Sequence, residues 1–400
     1  MNVSVIEKNK CFGCSACVQS CSKNAITMAM DKEGFLFPSV NKQKCTDCSL
    51  CLKKCPSYSP AKWQNYEQKV YAAVYKNDEI CKKSASGGAF SAFAKNILEK
   101  NGTVFGCAYD KDLNAIQVKI DSLSELEKLQ GSKYVFSDVK NTSYEVKKIL
   151  ESGKNVLYSG RPCQIAGLLK FLGKDYENLL TVDLVCHGVP SQLLFTKYLE
   201  WLGKKNSGKI IYYGFRDKDV CGWSCGGKIK TKTKTKTKTK TKTKTIEASC
   251  DPYYASFLRG ETYRLSCYEC PFACTSRVSD ISICDFWGIE NFYPDFDTSN
   301  GVSGIILNSK KGRLFFETCQ SSFNLKEATM DELKAFNTNL NHPTKMPQKR
   351  KTVYEDCLVG GKFVPKVEYF SPIKLWVTRT LSKIIPGKIK KIIKKLLGKI

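Results

Sequence analysis

The sequence predicts a chain that combines α+β and α/β units: a small cysteine-rich N-terminal unit, an α/β domain with a mixed sheet, and a C-terminal amphipathic helix. Three observations predict this arrangement. Eight Cys form two short runs within residues 1–58. Strand-like and helix-like segments alternate from Val70 onward, which is typical of an α/β domain. The C-terminal residues place Ile and Leu at helical spacing among Lys residues.

The two cysteine runs both have the spacing CxxCxxCxxxC, and Pro56 follows the second run. This is the spacing of bacterial ferredoxins that hold two 4Fe-4S clusters, in which the fourth Cys of each run ligates the other cluster. We therefore expect a dicluster ferredoxin fold over residues 1–58. Zinc is the alternative, but zinc sites usually pair two CxxC units across a longer spacer. The predicted ligands are Cys11, Cys14, Cys17 and Cys55 for the first cluster, and Cys45, Cys48, Cys51 and Cys21 for the second.

Composition excludes several other classes of protein. With 400 residues, of which 42% are hydrophobic, the chain can bury a large core, so wholesale disorder is excluded. No apolar segment resembles a secretory signal or is long enough to span a bilayer. Because a long chain in a reducing compartment does not use 21 Cys as a disulfide scaffold, thiolate ligands are the better interpretation. We expect a cytoplasmic protein.

The α/β region follows a polar linker at residues 59–69 and is divided provisionally into residues 70–150 and 151–350. Each predicted strand is an apolar run, and each predicted helix begins with a cap residue or has an apolar stripe. The predicted strands are VYAAVYK, TVFGCAY, NVLYSG and LLTVDLVC. The predicted helices are AFSAFAKNILEKNG, a segment after the Ser122–Glu125 capping box, TSYEVKKILESGK, RPCQIAGLLKFLG and PSQLLFTKYLEWLG.

Candidate site residues follow the predicted strands, where ligands of α/β sheets bind. The segment Ser86-Gly87-Gly88 before a helix is a candidate phosphate cradle, or simply a turn. Cys163 begins a helix, and Cys186 ends a strand beside His187. A CxxC pair follows at Cys267 and Cys270. Spacing alone does not establish that these four thiols form one site, and Cys274 is an alternative fourth ligand.

Six motifs occur in a fixed order: SxSGGxF, GSKY, PCQIAGL, DLVCHGVPS, CxxC and SDIxxxDFWG. Over roughly residues 1–350 the chain resembles the coenzyme F-420 hydrogenase/dehydrogenase beta-subunit family, in the form with a fused dicluster ferredoxin. The resemblance implies an FAD-binding domain with a third 4Fe-4S cluster. The implied cluster ligands are Cys163, Cys186, Cys267 and Cys270. The implied flavin contacts are Ser86, Gly87, Gly88, Ser132, Lys133, Tyr134 and Asp280.

Two positions depart from the family pattern. Arg161 stands where the family usually has a small residue, and it could contact a flavin phosphate or a charged substrate. Cys284 stands where the family usually has Gly, and a small buried side chain is its simplest interpretation. Similar proteins reduce a deazaflavin coenzyme, a sulfite-reductase partner or a hydroxymethyl chlorophyll, so the resemblance does not specify the acceptor.

The expected function is that of an iron–sulfur flavoprotein oxidoreductase. Electrons would pass from the ferredoxin clusters through the third cluster to FAD and on to a two-electron acceptor. The alternative is an electron-transfer subunit that feeds a separate enzyme, in polysaccharide biosynthesis by analogy with similar bacterial proteins. The expected partners are a redox protein or ferredoxin-like donor and a small-molecule acceptor. No catalytic acid or base can be named from the two His present.

The formal net charge of +26 is concentrated in two segments. Residues 228–245 hold nine Lys in a Lys-Thr repeat, which predicts an exposed strand, a hairpin or a disordered loop. Residues 351–400 are predicted as a basic amphipathic tail, whose helical stripe suits an anionic membrane surface on the inner face of the membrane. Because the rest of the chain carries little excess charge, no specific nucleic-acid partner is expected.

Overall fold

The computed structural model describes residues 1–234 and 239–371. It confirms the predicted fold class, because a ferredoxin-like N-terminal unit packs against an α/β domain that contains an eight-stranded mixed sheet. The predicted amphipathic helix of the tail lies in residues 372–400, outside the described residues. Within the described residues, no helix has the length and apolar character needed to cross a membrane.

The strands form four sheets among the described residues. The largest strands are rich in β-branched and aromatic residues, as expected for buried strands. The bounds are β1 (Ile26–Met30), β2 (Leu36–Val40), β3 (Lys69–Tyr75), β4 (Thr103–Tyr109), β5 (Ala115–Ile120), β6 (Val156–Gly160), β7 (Leu179–Leu184), β8 (Lys209–Gly214), β9 (Gly226–Lys234), β10 (Thr239–Glu247), β11 (Ile281–Asp285), β12 (Ser303–Leu307), β13 (Phe323–Ala328), β14 (Leu358–Val359) and β15 (Lys362–Phe363).

The helices include long ones that cover the main sheet and short turns near the cysteine runs. Several begin at the cap residue that the sequence indicates: the Ser191 hydroxyl, for example, accepts a hydrogen bond from the Leu194 amide. The α-helices are α1 (Ala16–Gln19), α2 (Leu50–Lys53), α3 (Asp78–Lys83), α4 (Ala89–Glu99), α5 (Thr142–Glu151), α6 (Pro162–Leu172), α7 (Gln192–Lys205), α8 (Lys218–Cys221), α9 (Pro252–Leu258), α10 (Lys310–Glu317), α11 (Met330–Ala335) and α12 (Val353–Cys357).

The order of the main sheet is β13-β3-β12-β11-β7-β6-β4-β5. Strands β11, β7, β6 and β4 are parallel, and β3 runs in the same direction because both β3 and β11 are antiparallel to β12. The carboxyl ends of these five strands therefore meet at one edge of the sheet. In open α/β sheets this is the edge where ligands bind.

The ferredoxin-like unit is built from two similar halves. Each cysteine run turns through a serine in the left-handed conformation, Ser15 with φ 58° and Ser49 with φ 60°, and then enters α1 or α2. Strands β1 and β2 pair as an antiparallel hairpin between the two runs. A small core that includes Val3, Ile26 and the buried Cys51 holds the halves together.

Several segments differ in detail from the sequence prediction. The helix predicted after Ser122 is a 3-10 helix, Leu123–Lys128, and the Ser122 side chain does not cap it. Strand β5 was not predicted, although its buried residues alternate with partly buried ones. Strands that precede residue 150 and strands that follow it belong to the same main sheet, so the provisional division at this residue does not separate two sheets. Val353, Tyr354 and Phe363 are buried in the same core as Phe195, so residues 353–367 belong to the packed domain.

The Lys-Thr repeat forms the hairpin β9–β10 up to the gap at residues 235–238. Lys232 lies opposite Thr241, and Thr231 lies opposite Lys242. Because directly opposed residues share a face, each face presents the Lys side chains of one strand beside the Thr side chains of the other. This register keeps like charges from facing each other directly, which explains how so basic a sequence pairs as a hairpin.

Candidate functional site

A cleft lies at the carboxyl edge of the main sheet, where β6 and β7 end. All four thiols that the resemblance assigned to a third cluster line it. Cys163 lies in the first turn of α6, just after β6, and Cys186 follows the end of β7. The other two come from the 3-10 turn Leu265–Cys267 and the loop that follows it. The complete lining is Phe12, Arg161, Pro162, Cys163, Cys186, His187, Gly188, Arg264, Ser266, Cys267 and Cys270. We call it the four-cysteine cavity.

The thiols of the four-cysteine cavity influence one another electrostatically. Burial, with smaller contributions from Cys267 and Cys163, raises the pKa of Cys186 to about 12. Burial and the same neighbours also raise the pKa of Cys270. An iron centre deprotonates its coordinating thiols. In residues 1–234 and 239–371, no group of three His, Cys, Asp or Glu side chains has the geometry of a single-ion site.

Two buried arginines face this cavity. Arg161 and Arg264 are 7% and 1% exposed, and Arg161 Nε and Arg264 Nη1 are buried without a hydrogen-bond partner. Both guanidinium groups lower the pKa of Cys267, although burial is the larger effect and raises it. A four-thiolate iron–sulfur cluster is anionic and accepts hydrogen bonds at its sulfurs. The donor set and the unpartnered cations therefore fit such a cluster.

The predicted ligands of the first ferredoxin cluster lie together. Burial raises the pKa of Cys17, and Cys14, Cys11 and Cys55 raise it further. For the second cluster, Cys48 raises the pKa of Cys51, with burial as the larger cause. Cys21 packs against the small core that contains Cys51. The grouping of the four first-cluster ligands agrees with the crossed ligation that the spacing predicts, and the assignment of individual ligands stays a prediction.

The first ferredoxin cluster site adjoins the four-cysteine cavity. Cys163 acts electrostatically on Cys14, whose pKa is raised chiefly by burial. Helix α6 carries Cys163 in its first turn and places Gly167 one turn later on the same face. A Cβ at Gly167 would lie 2.8 Å from Cys14 Cβ and 2.9 Å from its Sγ, so only glycine permits this approach. One helix thus holds a cavity thiol and touches a ferredoxin thiol.

The two other candidate cysteines lie apart from the cavity. The Cys274 thiol donates to the carbonyl oxygens of Pro271 and Ser276, and it is absent from the cavity lining. Cys284 lies against the carbonyl of Gly304. Neither side chain converges with Cys163, so the structure favours the ligand set that ends at Cys270.

The loop after Cys270 is held by a buried ion pair. Arg277 Nη2 donates to Asp183 Oδ1 at 2.7 Å, and both side chains are almost fully buried. Arg277 Nη1 also donates to the carbonyl oxygens of Phe272 and Cys274. Since Asp183 lies on β7, this pair fixes the loop against the sheet and so helps to position Cys270.

The Ser86-Gly87-Gly88 segment lies at the end of β3, on the same sheet edge. A Cβ at Gly87 would lie 2.2 Å from the Ala73 carbonyl oxygen, so close packing on β3 requires this glycine. Gly88 has φ 83° and is the N-cap of α4. The Ser86 hydroxyl donates to the Val302 carbonyl at 2.8 Å. Close packing accounts for Gly87, and the role of the segment toward a cofactor stays a prediction.

The GSKY motif forms the loop after the 3-10 helix Leu123–Lys128. Lys133 Nζ donates to the Gln130 carbonyl at 2.7 Å, and burial lowers its pKa to about 8. Ser132 hydrogen-bonds to the Tyr134 side chain. The Tyr134 ring stacks on Phe257 with centroids 4.4 Å apart.

Asp280 lies away from the other candidates, at the beginning of β11 rather than its end. Its Oδ2 accepts hydrogen bonds from the Thr181 amide and hydroxyl, and its Oδ1 accepts one from the Ser309 hydroxyl at 2.7 Å. The carboxylate is buried and held by protein donors. The structure therefore does not bring Asp280 together with Ser86 or Tyr134, and its predicted flavin contact stays untested.

A further group of residues, missed by the sequence analysis, lies at the carboxyl end of β11. Arg216 Nη1 donates to Asp285 Oδ2 at 2.6 Å, and Trp223 Nε1 donates to Asp285 Oδ1 at 2.8 Å. The Trp223 and Trp287 rings stack with centroids 4.6 Å apart. Lys218 Nζ donates to the Ser86 carbonyl at 2.7 Å. We call Arg216, Lys218, Trp223, Asp285 and Trp287 the Arg216 cluster.

The Arg216 cluster connects the predicted flavin residues to the four-cysteine cavity. The Arg216 side chain is 4% exposed, and its Nε and Nη2 atoms have no hydrogen-bond partner. Burial raises the pKa of Tyr134, and Arg216 opposes that shift. On the other side, burial lowers the pKa of His187, which lines the cavity, and Asp285 opposes it. The sequence signal that could have indicated this cluster is the segment FRDK, followed by GW, before β9.

Comparisons with known proteins give two family models that match separate parts of the chain. Residues 10–58 match the 4Fe-4S dicluster domain. Residues 153–332 match the C terminus of the coenzyme F420 hydrogenase/dehydrogenase beta subunit. A chain of the F420-reducing [NiFe] hydrogenase complex from Methanosarcina barkeri is similar over 74% of this chain and 94% of its own length, with 18% identity and a TM-score of 0.43. A search of curated proteins found no match.

Proposed function

We propose that this iron–sulfur electron-transfer protein is a flavin-dependent oxidoreductase. Residues 153–332 match the C terminus of the coenzyme F420 hydrogenase/dehydrogenase beta subunit, and they follow a 4Fe-4S dicluster domain. In this proposal, electrons pass from the ferredoxin clusters to a third 4Fe-4S cluster in the four-cysteine cavity, and then to FAD. When bound, FAD supplies the exchange between one-electron and two-electron transfer.

The observation that carries this proposal is that the ferredoxin unit, the four-cysteine cavity and the Arg216 cluster adjoin one another. Gly167 brings α6 against Cys14, and the same helix carries Cys163 into the four-cysteine cavity. His187 lines that cavity and interacts with Asp285 of the Arg216 cluster. A donor unit, an intermediate site and a candidate acceptor site therefore adjoin one another in order. This order supports electron transfer toward the carboxyl edge of the sheet.

The Arg216 cluster supports a flavin or its acceptor at that edge. The two unpartnered nitrogens of Arg216 fit an anionic oxygen, such as a phosphate or a ring carbonyl that gains negative charge on reduction. The adjacent pair Trp223 and Trp287 offers aromatic surface. Ser86 and Tyr134 each interact with a member of this cluster, whereas Asp280 does not. We assign FAD contacts to Ser86, Tyr134 and Arg216 on this basis.

The expected partners follow from this route. A reduced ferredoxin-like protein would supply single electrons at the ferredoxin unit, and a small molecule would accept two electrons beside the Arg216 cluster. We place the protein in the cytoplasm, with the basic tail at residues 372–400 binding the anionic inner face of the membrane.

Cysteine variants test the third cluster and the route together. Cys270→Ser removes a cavity thiol, whereas Cys274→Ser is a matched control in the loop beyond the CxxC pair. We expect Cys270→Ser to lose about 4 Fe per chain, and to slow flavin bleaching when reduced viologen is the donor. Cys274→Ser should retain wild-type iron and bleaching. Equal iron content and equal bleaching in both variants would contradict the proposal.

A further inference from the structure

One buried cation joins the ferredoxin unit to the four-cysteine cavity. Arg264 lies three residues before Cys267, and its backbone amide donates to the Val189 carbonyl. Its Nε donates to the Cys11 carbonyl at 2.7 Å, and its Nη2 donates to the Leu36 carbonyl at 3.0 Å. Both acceptors belong to the ferredoxin unit. A single side chain of the α/β domain therefore fixes the first cysteine run in position beside the cavity.

Among the described residues, the charge of Arg264 has no protein counterion. In residues 1–234 and 239–371 no carboxylate forms an ion pair with it, and its guanidinium lies over aromatic rings, 4.0 Å from the Phe37 centroid and 5.6 Å from that of Phe136. The Nη1 atom is buried without a partner, and Arg264 lines the four-cysteine cavity. Burying an uncompensated charge is destabilising. An anion in the cavity would remove that destabilisation.

Arg350 shows that this arrangement is specific. It is also buried, and it also joins the two units, because Nε donates to the Tyr263 carbonyl and Nη1 donates to Glu33. Its charge, however, is paired with the Glu33 carboxylate. Arg350 is absent from the lining of the four-cysteine cavity. Of these two arginines that join the units, Arg350 is paired with a carboxylate, whereas Arg264 is not and lines the cavity.

We propose that Arg264 sets the reduction potential of the third cluster, an inference that rests on the proposed function because it requires a cluster in the cavity. Each transfer oxidises the first cluster by one electron and reduces the third cluster by one electron, and no bond is broken. Reduction adds one negative charge beside Arg264. Net charge and hydrogen bonds to the sulfurs set cluster potentials, so the cation favours the reduced form of the third cluster.

A redox titration followed by electron paramagnetic resonance tests this inference on the anaerobically purified full chain. At a fixed solution potential, we expect Arg264→Gln to lower the ratio of reduced to oxidised third cluster about tenfold. Arg264→Lys should restore most of the wild-type ratio, because it retains the charge. Arg350→Gln, which alters docking without altering the cavity charge, should leave the ratio unchanged.

Iron analysis separates the possible failures. About 12 Fe in wild type and in Arg264→Gln, with equal reduced ratios, would overturn the inference and leave the proposed function intact. About 8 Fe in wild type would overturn the proposed function itself. If Arg264→Gln does not retain iron, Arg264→Lys provides the test. A ratio of reduced to oxidised third cluster near that of wild type supports a role for the charge, and a tenfold lower ratio refutes it.

Discussion

The contact between α6 and the first ferredoxin run gives the most direct structural prediction. Replacing Gly167 by Ala would place a methyl group 2.8 Å from Cys14 Cβ and 2.9 Å from its Sγ. Ordinary contacts between heavy atoms are ~3.5–4.0 Å, so the helix must move by about 0.7–1.2 Å to relieve the closer contact. Cys163 lies on the same face one turn earlier, and it moves with the helix. The variant therefore disturbs the junction between the two cluster sites.

The sign of the stability change distinguishes this account from a local helix effect. Helix propensity alone would stabilise Gly167→Ala by up to ~1 kcal/mol. Overpacking costs ~1–3 kcal/mol, so we expect a net loss of stability of up to about 2 kcal/mol. In thermal denaturation under anaerobic conditions this corresponds to a Tm lower by up to about 4 °C. The electron paramagnetic resonance signals of the first and third clusters should change together.

Gly203→Ala is a matched control in α7. Its Cβ would lie 2.6 Å from the Gly208 carbonyl oxygen, so it also overpacks a helix, but it does so away from every candidate cluster ligand. We expect it to lower the Tm without changing the cluster signals. A Gly167→Ala protein that is as stable as wild type, with unchanged cluster signals, would refute the reasoning about the α6 junction.

Three other predictions follow. Burial raises the pKa of Asp251 from 3.8 to about 6, so deprotonation of this residue destabilises the fold by ~3 kcal/mol as the pH rises from about 4 to 6. We expect Asp251→Asn to remove this loss of stability when unfolding is measured as a function of pH. Identical pH profiles of the variant and wild type would contradict this prediction. Burial lowers the pKa of Lys133 to about 8, so the free energy of unfolding should rise between pH 8 and about 10.5 as this residue loses its proton. Lys133→Met should abolish the rise. A rise that persists in the variant would refute the role of Lys133. Deleting residues 372–400 should release the protein from anionic vesicles without loss of flavin, and equal binding by both forms would refute a role for the tail.

The ferredoxin unit could be predicted from sequence because its ligands lie within two short runs. Local spacing also predicted the strands and helices around Cys163 and Cys186. The four-cysteine cavity required the family resemblance, since its thiols come from segments separated by up to about a hundred residues. Only the topology, with its parallel carboxyl ends, brings Cys163 and Cys270 to one place.

Arg264 and Arg216 could not be predicted because long-range packing determines their environment. The acceptors of Arg264, Cys11 and Leu36, lie more than two hundred residues earlier in the chain. Asp280 illustrates the opposite problem. It belongs to a motif that suggested a ligand contact, yet it precedes β11 and so lies near the amino end of the strand, where protein donors hold its carboxylate.

The most direct test of the central claim is the content of iron, acid-labile sulfide and flavin in the anaerobically purified chain. The account predicts about 12 Fe and one FAD per chain, which corresponds to three 4Fe-4S clusters and a flavin. About 8 Fe without flavin would contradict it, because the four-cysteine cavity would then hold no cluster and the chain would be an electron-transfer subunit for a separate enzyme.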